Sequence, residues 1–118
     1  ETVMTLEQCY AQMGASYENV LKRFYKPEMI LRFVKLFPSD NSFQLLQDAM
    51  AAGNVKEAFR AAHTLKGVSL NLGFDNLSPA AVALTETLRA GTFEGTAEQF
   101  ALVEKEYAKT MDAIRALD

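Results

Sequence analysis

The hydrophobic positions of the chain recur mainly at steps of three and four, the spacing at which side chains fall on one face of an α-helix. The C-terminal segment is the clearest case, since Phe100, Val103, Tyr107, Met111 and Ile114 follow this spacing. No run of four or more residues between turn residues alternates apolar and polar side chains, so the sequence gives no support for strands. The pattern therefore predicts an all-helical chain.

Capping residues, prolines and glycines indicate where the helices begin and end. Thr5 and Ser16 are suited to cap two short N-terminal helices, Pro27 suits the first turn of a third, and Gly53 ends a later segment. Pro38 interrupts a hydrophobic stripe and predicts a break there. The predicted helices lie at roughly residues 4–13, 16–25, 28–37, 40–52, 55–72, 79–90 and 97–117.

Longer amphipathic segments joined by short connections predict a particular architecture. Each helix must bury one apolar stripe against its neighbours, and four such segments do so in an antiparallel four-helix bundle. The two short helices at the N-terminus are expected to cover one end of the bundle. We expect residues 1–118 to form a single domain, because this length fits one compact core.

Composition and charge exclude several classes of protein. Apolar residues make up 49% and charged residues 23% of the chain, close to the average of globular domains. The net charge of −3 argues against non-specific binding to nucleic acid or to an anionic membrane. No apolar run approaches the length of a membrane span. The single cysteine, Cys9, gives no sign of an oxidising compartment, so we expect a cytoplasmic protein.

The predicted helix at 55–72 has two distinct faces when residues are placed about 100° apart around its axis. His63, the only histidine of the chain, lies on one of them. The opposite face is predicted to meet the core and carries Ala58, Ala61, Leu65, Val68, Ser69 and Leu72. Within about 60° of His63 there is no carboxylate, and this arc carries Lys56, Phe59, Arg60, Lys66, Gly67 and Leu70.

The residue types around His63 indicate a binding surface. Three cations near one imidazole produce a local positive field that attracts an anionic group. Gly67 costs a helix interior about 1 kcal/mol relative to alanine, a cost that is tolerated where another molecule must approach the backbone. Phe59 and Leu70 would either offer a partner protein an apolar patch or pack against a neighbouring helix.

A known family signature resembles the run Ala62-His63-Thr64-Leu65-Lys66-Gly67, followed by Asn71-Leu72-Gly73 and Leu77. It is that of the histidine-containing phosphotransfer (HPt) domains of two-component phosphorelays. In that family the pattern His-x-x-Lys-Gly lies on the second helix of a four-helix bundle, and the histidine carries a phosphoryl group between receiver domains. The resemblance is close over the motif helix and covers the other helices in outline.

The resemblance implies a role for each residue of the motif. His63 would be the nucleophile, since a neutral imidazole can attack phosphorus without a separate base. Lys66 would contact the transferred phosphoryl oxygens, and Gly67 would leave clearance for the loops of the receiver. Contacts with the partner protein are expected from Lys56, Phe59, Arg60 and Leu70.

One position departs from the family pattern. Members often have Glu or Gln on the adjacent helix, where the side chain hydrogen-bonds the second nitrogen of the histidine ring. Here that position is Thr85, followed by Glu86, which lies one position off the expected face. Because Thr85 is shorter than Glu or Gln, the ring would be oriented by the Thr85 hydroxyl group, by water or by no specific group.

The resemblance and the residues together predict a phosphorelay intermediate that accepts a phosphoryl group on His63 from a receiver aspartate and passes it to another receiver. We expect a carrier rather than an enzyme, with no bound cofactor, metal or ATP; the Mg²⁺ would belong to the receiver. The expected partners are receiver domains, with a hybrid sensor kinase as a further candidate, and the chain is expected to be a monomer. The alternative is a helical adaptor that docks a receiver or kinase without carrying phosphate.

Overall fold

The computed structural model describes residues 4–117, and the regular elements in that range are all helices. In chain order the α-helices are α1 Leu6–Met13, α2 Tyr17–Phe24, α3 Pro27–Leu36, α4 Ser42–Ala52, α5 Val55–Asn71, α6 Ser78–Arg89 and α7 Thr96–Arg115. The predicted all-α class is confirmed. Residues 1–3 and 118 of the predicted single domain lie outside the described range.

Side-chain caps explain why several helices begin where they do. At α1, Thr5 Oγ1 accepts a hydrogen bond from the Gln8 backbone N–H at 3.1 Å, and the Thr5 N–H donates to Gln8 Oε1 at 2.9 Å. Ser16 caps α2 and Asn54 caps α5 in the same manner, each accepting one backbone N–H of its first turn. These bonds satisfy amide groups that the start of a helix leaves unpaired.

The predicted break at Pro38 is present. Proline has no N–H to donate, so a helix cannot continue through it without losing a hydrogen bond. After α3 the chain passes through a short 3-10 helix, Phe37–Ser39, and α4 begins at Ser42. The Asp40 carboxylate accepts hydrogen bonds from both the backbone N–H and the hydroxyl group of Ser42, which fixes the start of α4.

Helices α4 to α7 form the predicted bundle. Consecutive helices pack against each other in the order α4, α5, α6, α7. Phe43 of α4 stacks on Tyr107 of α7 with ring centroids 3.9 Å apart and ring planes 9° apart, which closes the bundle. Within this bundle α5 packs against α4 on one side and against α6 on another. None of the helices in the described range is long and apolar enough to cross a membrane.

Helix α1 packs on α7 and covers the end of the bundle at which α5 finishes. Its residues Cys9, Tyr10 and Met13 are fully buried. The Tyr10 hydroxyl donates a hydrogen bond to the carbonyl of Leu72, just after α5, and the Tyr10 ring contacts Phe74. Burial raises the pKa of the Cys9 thiol to about 11, so this cysteine is a protonated core residue near neutral pH.

Candidate functional site

Contacts at its C-terminal end hold α5 in place. Arg23 of α2 donates from Nη1 to the carbonyl oxygens of Leu70 at 2.6 Å and Asn71 at 3.0 Å. Such carbonyls are unpaired at the end of a helix unless another group reaches them. Gly73 follows with a φ of +68°, a conformation that glycine adopts readily and that turns the chain away from the helix. No sequence pattern points to Arg23, which lies far from α5 along the chain.

The predicted inner face of α5 meets the core, with two differences from the prediction. Five of its six predicted members are buried, namely Ala58, Ala61, Leu65, Ser69 and Leu72. Val68 is half-buried and lines a groove beside α3. Ala62 was not predicted to lie on the inner face, but it is fully buried. The reason is that both α4 and α6 pack against α5.

The opposite face of α5 carries His63 into solvent. His63, Lys56, Arg60 and Gly67 are exposed, and Lys66 is half-buried. Apart from its chain neighbours and the nearby backbone of α5, a Cβ atom built on Gly67 would meet no heavy atom of the described residues within 4 Å, so the space over the backbone here is open. The imidazole and the backbone one turn after it are therefore both accessible to another molecule.

The two apolar side chains of this face differ in exposure. Leu70 is 45% exposed, as expected for a residue that contacts a partner. Phe59 is half-buried and packs against the core, which is the second of the two alternatives left open for it. Its ring centroid lies 5.8 Å from that of His63, with 48° between the ring planes. Phe59 thus contacts the imidazole and also remains a candidate for contact with a partner.

Helix α6 brings a further residue to the site that the sequence analysis missed. The guanidinium carbon of Arg89 lies 5.0 Å from the centre of the Phe59 ring, a cation–π arrangement. Arg89 also pairs with Glu86 at 3.3 Å on its own helix. No sequence pattern links Arg89 to Phe59, because their contact depends on how α6 packs on α5.

The charge around His63 also differs from the sequence-based picture. Arg60 Nη1 lies 3.0 Å from Glu57 Oε1, so a carboxylate borders the arc that appeared free of them in sequence. This exposed pair adds little stability, at most about 1 kcal/mol, but it offsets the charge of Arg60. Within residues 4–117, neither Lys56 nor Lys66 takes part in an ion pair. The positive field at the site therefore comes mainly from these two lysines.

Thr85 makes no hydrogen bond to the ring of His63 in the structure. The residue is fully buried, and its hydroxyl donates a hydrogen bond to the carbonyl of Ala81, one turn earlier on α6, at 2.6 Å. Threonine in a helix often satisfies its hydroxyl in this way. The hydroxyl proton is thus used within α6, and the hydroxyl oxygen accepts no hydrogen bond from the ring of His63.

The arrangement provides an exposed imidazole, an ammonium group one turn further on and open space above the backbone. An imidazole in this setting can act as a nucleophile toward an electrophile that a partner presents, and the ammonium group can contact anionic oxygens. No group of His, Cys, Asp and Glu side chains among residues 4–117 is arranged to hold a metal ion.

Comparison with known proteins gives the family. The family model described as the Hpt domain matches residues 38–116, a span that contains α4 to α7 and the His63 face. The chain therefore belongs to the Hpt domain family, and the resemblance seen in the sequence is confirmed. Members of this family are histidine phosphotransfer domains of two-component signalling and carry phosphoryl groups. Searches of curated proteins and of solved structures found no match to the chain.

Proposed function

We propose that this chain is a phosphorelay intermediate that accepts a phosphoryl group on His63 from a receiver aspartate and passes it to a second receiver. One observation carries the proposal: within the region matched by the family, the exposed imidazole of His63 stands one turn before Lys66 and the open backbone of Gly67. The donor phosphate lies inside another protein, so the accepting ring must protrude to reach it in line.

The transfer is a displacement at phosphorus. The unprotonated ring nitrogen of His63 forms a bond to phosphorus while the bond from phosphorus to the aspartate oxygen breaks and the carboxylate leaves. The proton on the second ring nitrogen is then free to pass to solvent. Onward transfer is the reverse displacement: the second ring nitrogen takes a proton back from solvent, the carboxylate of another receiver attacks phosphorus, and the bond from phosphorus to the ring nitrogen breaks as neutral imidazole leaves.

The cations of α5 favour the phosphorylated form. Residues three positions apart are neighbours on a helix surface, so the ammonium group of Lys66 can contact the phosphoryl oxygens on His63. Lys56 has no ion-pair partner among residues 4–117 and adds positive potential, whereas the charge of Arg60 is shared with Glu57. We assign the phosphoryl contact to Lys66, and give Lys56 and Arg60 a role in docking.

The remaining chemistry is assigned to the partner. The receiver supplies the Mg²⁺ ion and the acidic pocket that stabilise charge at phosphorus, so this chain acts as a carrier with no cofactor or ATP of its own. Leu70 contributes apolar contact to the receiver, and Gly67 leaves room for its loops. We further propose a cytoplasmic monomer, folded as one domain, whose donor can be the receiver of a hybrid sensor kinase.

Incubation with a receiver that carries labelled aspartyl phosphate tests the proposal. We expect the label to move onto this chain, to be lost in acid and to survive base, as a phosphohistidine does. The variant His63→Gln, with its helical content checked by circular dichroism, should take up no label. Binding of receivers without transfer from any of them would contradict the proposal and favour the adaptor alternative.

A further inference from the structure

Among the residues that the structure describes, no partner orients the imidazole of His63 through a hydrogen bond. In the range 4–117 no side chain forms a hydrogen bond with the ring, and Thr85 uses its hydroxyl proton on Ala81. An exposed histidine that no hydrogen bond holds can rotate among several side-chain rotamers. In-line attack on phosphorus requires the ring nitrogen to point at the donor, so free rotation reduces the fraction of productive encounters.

Phe59 restricts this rotation by contact. It lies one turn before His63, and its ring centroid is 5.8 Å from the imidazole, within the range that aromatic pairs prefer. Because Phe59 packs against the core, its ring has a fixed position against which the imidazole can rest.

Arg89 fixes the Phe59 ring from the side of α6. Its guanidinium carbon lies 5.0 Å from the centre of that ring, and both Nε and Nη2 donate to Glu86 Oε2 at 3.3 Å. The pairing with Glu86 limits the conformations of Arg89, and the cation–π contact limits those of Phe59. A continuous series of contacts therefore joins α6 to the imidazole.

We propose that Phe59 and Arg89 are positioning residues for His63. Phe59 orients the imidazole by ring contact, and Arg89 keeps the Phe59 ring in place, which substitutes for the side-chain hydrogen bond that Thr85 does not make. This inference rests on the proposed function, because the orientation of the ring matters only where the ring is the nucleophile.

Three variants separate the contacts, and two more serve as controls. Phe59→Leu removes the ring but keeps an apolar side chain, Phe59→Tyr keeps the ring, and Arg89→Met removes the charge but keeps a long side chain. Phe93→Leu removes another partly buried phenylalanine. Arg115→Met removes the cation of the ion pair with Asp112, which has the same three-residue spacing as Arg89 with Glu86.

The first measurement is the proton NMR spectrum of the His63 ring. Because the chain has a single histidine, these signals need no assignment against other histidines. We expect the neighbouring Phe59 ring to shift the ring-proton signals of His63 away from the chemical shifts of a histidine in a flexible peptide. Phe59→Leu should move the His63 signals toward the chemical shifts of the flexible peptide. Phe59→Tyr and Phe93→Leu should leave them near the wild-type chemical shifts.

The second measurement is the rate at which phosphoramidate, a small phosphoryl donor, phosphorylates His63 in the absence of any partner protein. The bond from phosphorus to the histidine nitrogen forms, and the bond to ammonia breaks. We expect Phe59→Leu and Arg89→Met to slow this reaction about two- to tenfold, the effect that corresponds to loss of one aromatic contact. Phe59→Tyr and the two controls should react at the wild-type rate.

The outcomes distinguish the possible roles. Unchanged phosphoramidate rates in both Phe59→Leu and Arg89→Met, or ring signals that do not move in Phe59→Leu, would overturn the inference. A slower reaction seen only with a phosphorylated receiver would make these docking residues and would overturn it too. If no receiver phosphorylates the wild-type chain, the proposed function fails, whereas the NMR and phosphoramidate results still decide the positioning role.

Discussion

Lys66 differs from the other cations near His63 in its surroundings. It is half-buried, whereas Lys56 and Arg60 are exposed. A lysine of this kind packs its aliphatic stem along the helix and keeps its ammonium group in solvent. No carboxylate within residues 4–117 pairs with it. The ammonium group is thus free to contact a phosphoryl group on His63.

We predict that Lys66→Ala slows phosphoryl transfer to His63 about tenfold or more, the effect of losing one hydrogen bond between charged groups. The free energy of unfolding should stay within about 0.5 kcal/mol of wild type, because the substitution breaks no ion pair. Rates of label transfer and chemical denaturation measure the two effects.

Lys105→Ala, which removes an exposed lysine of α7, is the matched control and should change neither quantity. A large loss of stability in Lys66→Ala would show that Lys66 is structural and would contradict the assigned role.

At the scale of the helix, two glycines of the α5 region serve different purposes. Gly67 lies inside α5 with open space around it. Gly73 ends the region with a φ of +68°, and a Cβ atom there would lie 3.0 Å from Cβ of Val20. Backbone conformation and packing therefore require glycine at position 73, whereas neither requires it at position 67.

This difference predicts opposite effects of alanine. Gly67→Ala should raise the free energy of unfolding by about 0.5–1 kcal/mol, because alanine favours the helix, and yet slow transfer from a receiver, because the methyl group occupies the approach to the site. Gly73→Ala should lower the free energy of unfolding by at least about 1–2 kcal/mol. Denaturation and transfer assays check both.

A Gly67→Ala variant that is less stable than wild type, or that accepts phosphate from a receiver as fast as wild type, would refute this account of the glycine.

The helices themselves could largely be predicted from sequence, because their signals are local. The caps at Thr5, Ser16 and Asn54 and the break at Pro38 depend on neighbouring residues only. The pair of Glu57 with Arg60 was also within reach of sequence reasoning, since charges three positions apart on a helix are neighbours.

Contacts between helices could not be predicted in the same way. The burial of Thr85 and the approach of Arg89 to Phe59 depend on the rotation and height of α6 against α5. Hydrophobic periodicity shows that a helix has an inner face but gives neither of these quantities. The face of His63 was therefore within reach of sequence analysis, whereas the side chains that α6 adds to it were not.

At the scale of the whole molecule, the bundle carries His63 and the N-terminal helices contact the end of the helix on which it lies. The family match begins after α3, so α1 to α3 lie outside it. Two of these helices nevertheless contact the end of α5, through the Tyr10 hydroxyl on Leu72 and the Arg23 guanidinium on Leu70 and Asn71. The N-terminal helices thus help to fix the helix that carries His63.

The charge of the molecule is also unevenly distributed. The chain as a whole has a net charge of −3, while the face of α5 around His63 carries two lysines without ion-pair partners in the described residues. Local attraction of an anionic group is therefore compatible with an acidic protein.

Onward transfer tests the central claim, that His63 carries a phosphoryl group between receivers. The chain is first labelled on His63 with labelled phosphoramidate, freed of the reagent and mixed with an unphosphorylated receiver and Mg²⁺. We predict that label leaves this chain and appears on the receiver aspartate, and that removal of Mg²⁺ slows the transfer. Label that stays on His63 with every receiver tested, although the receivers bind, would contradict the account.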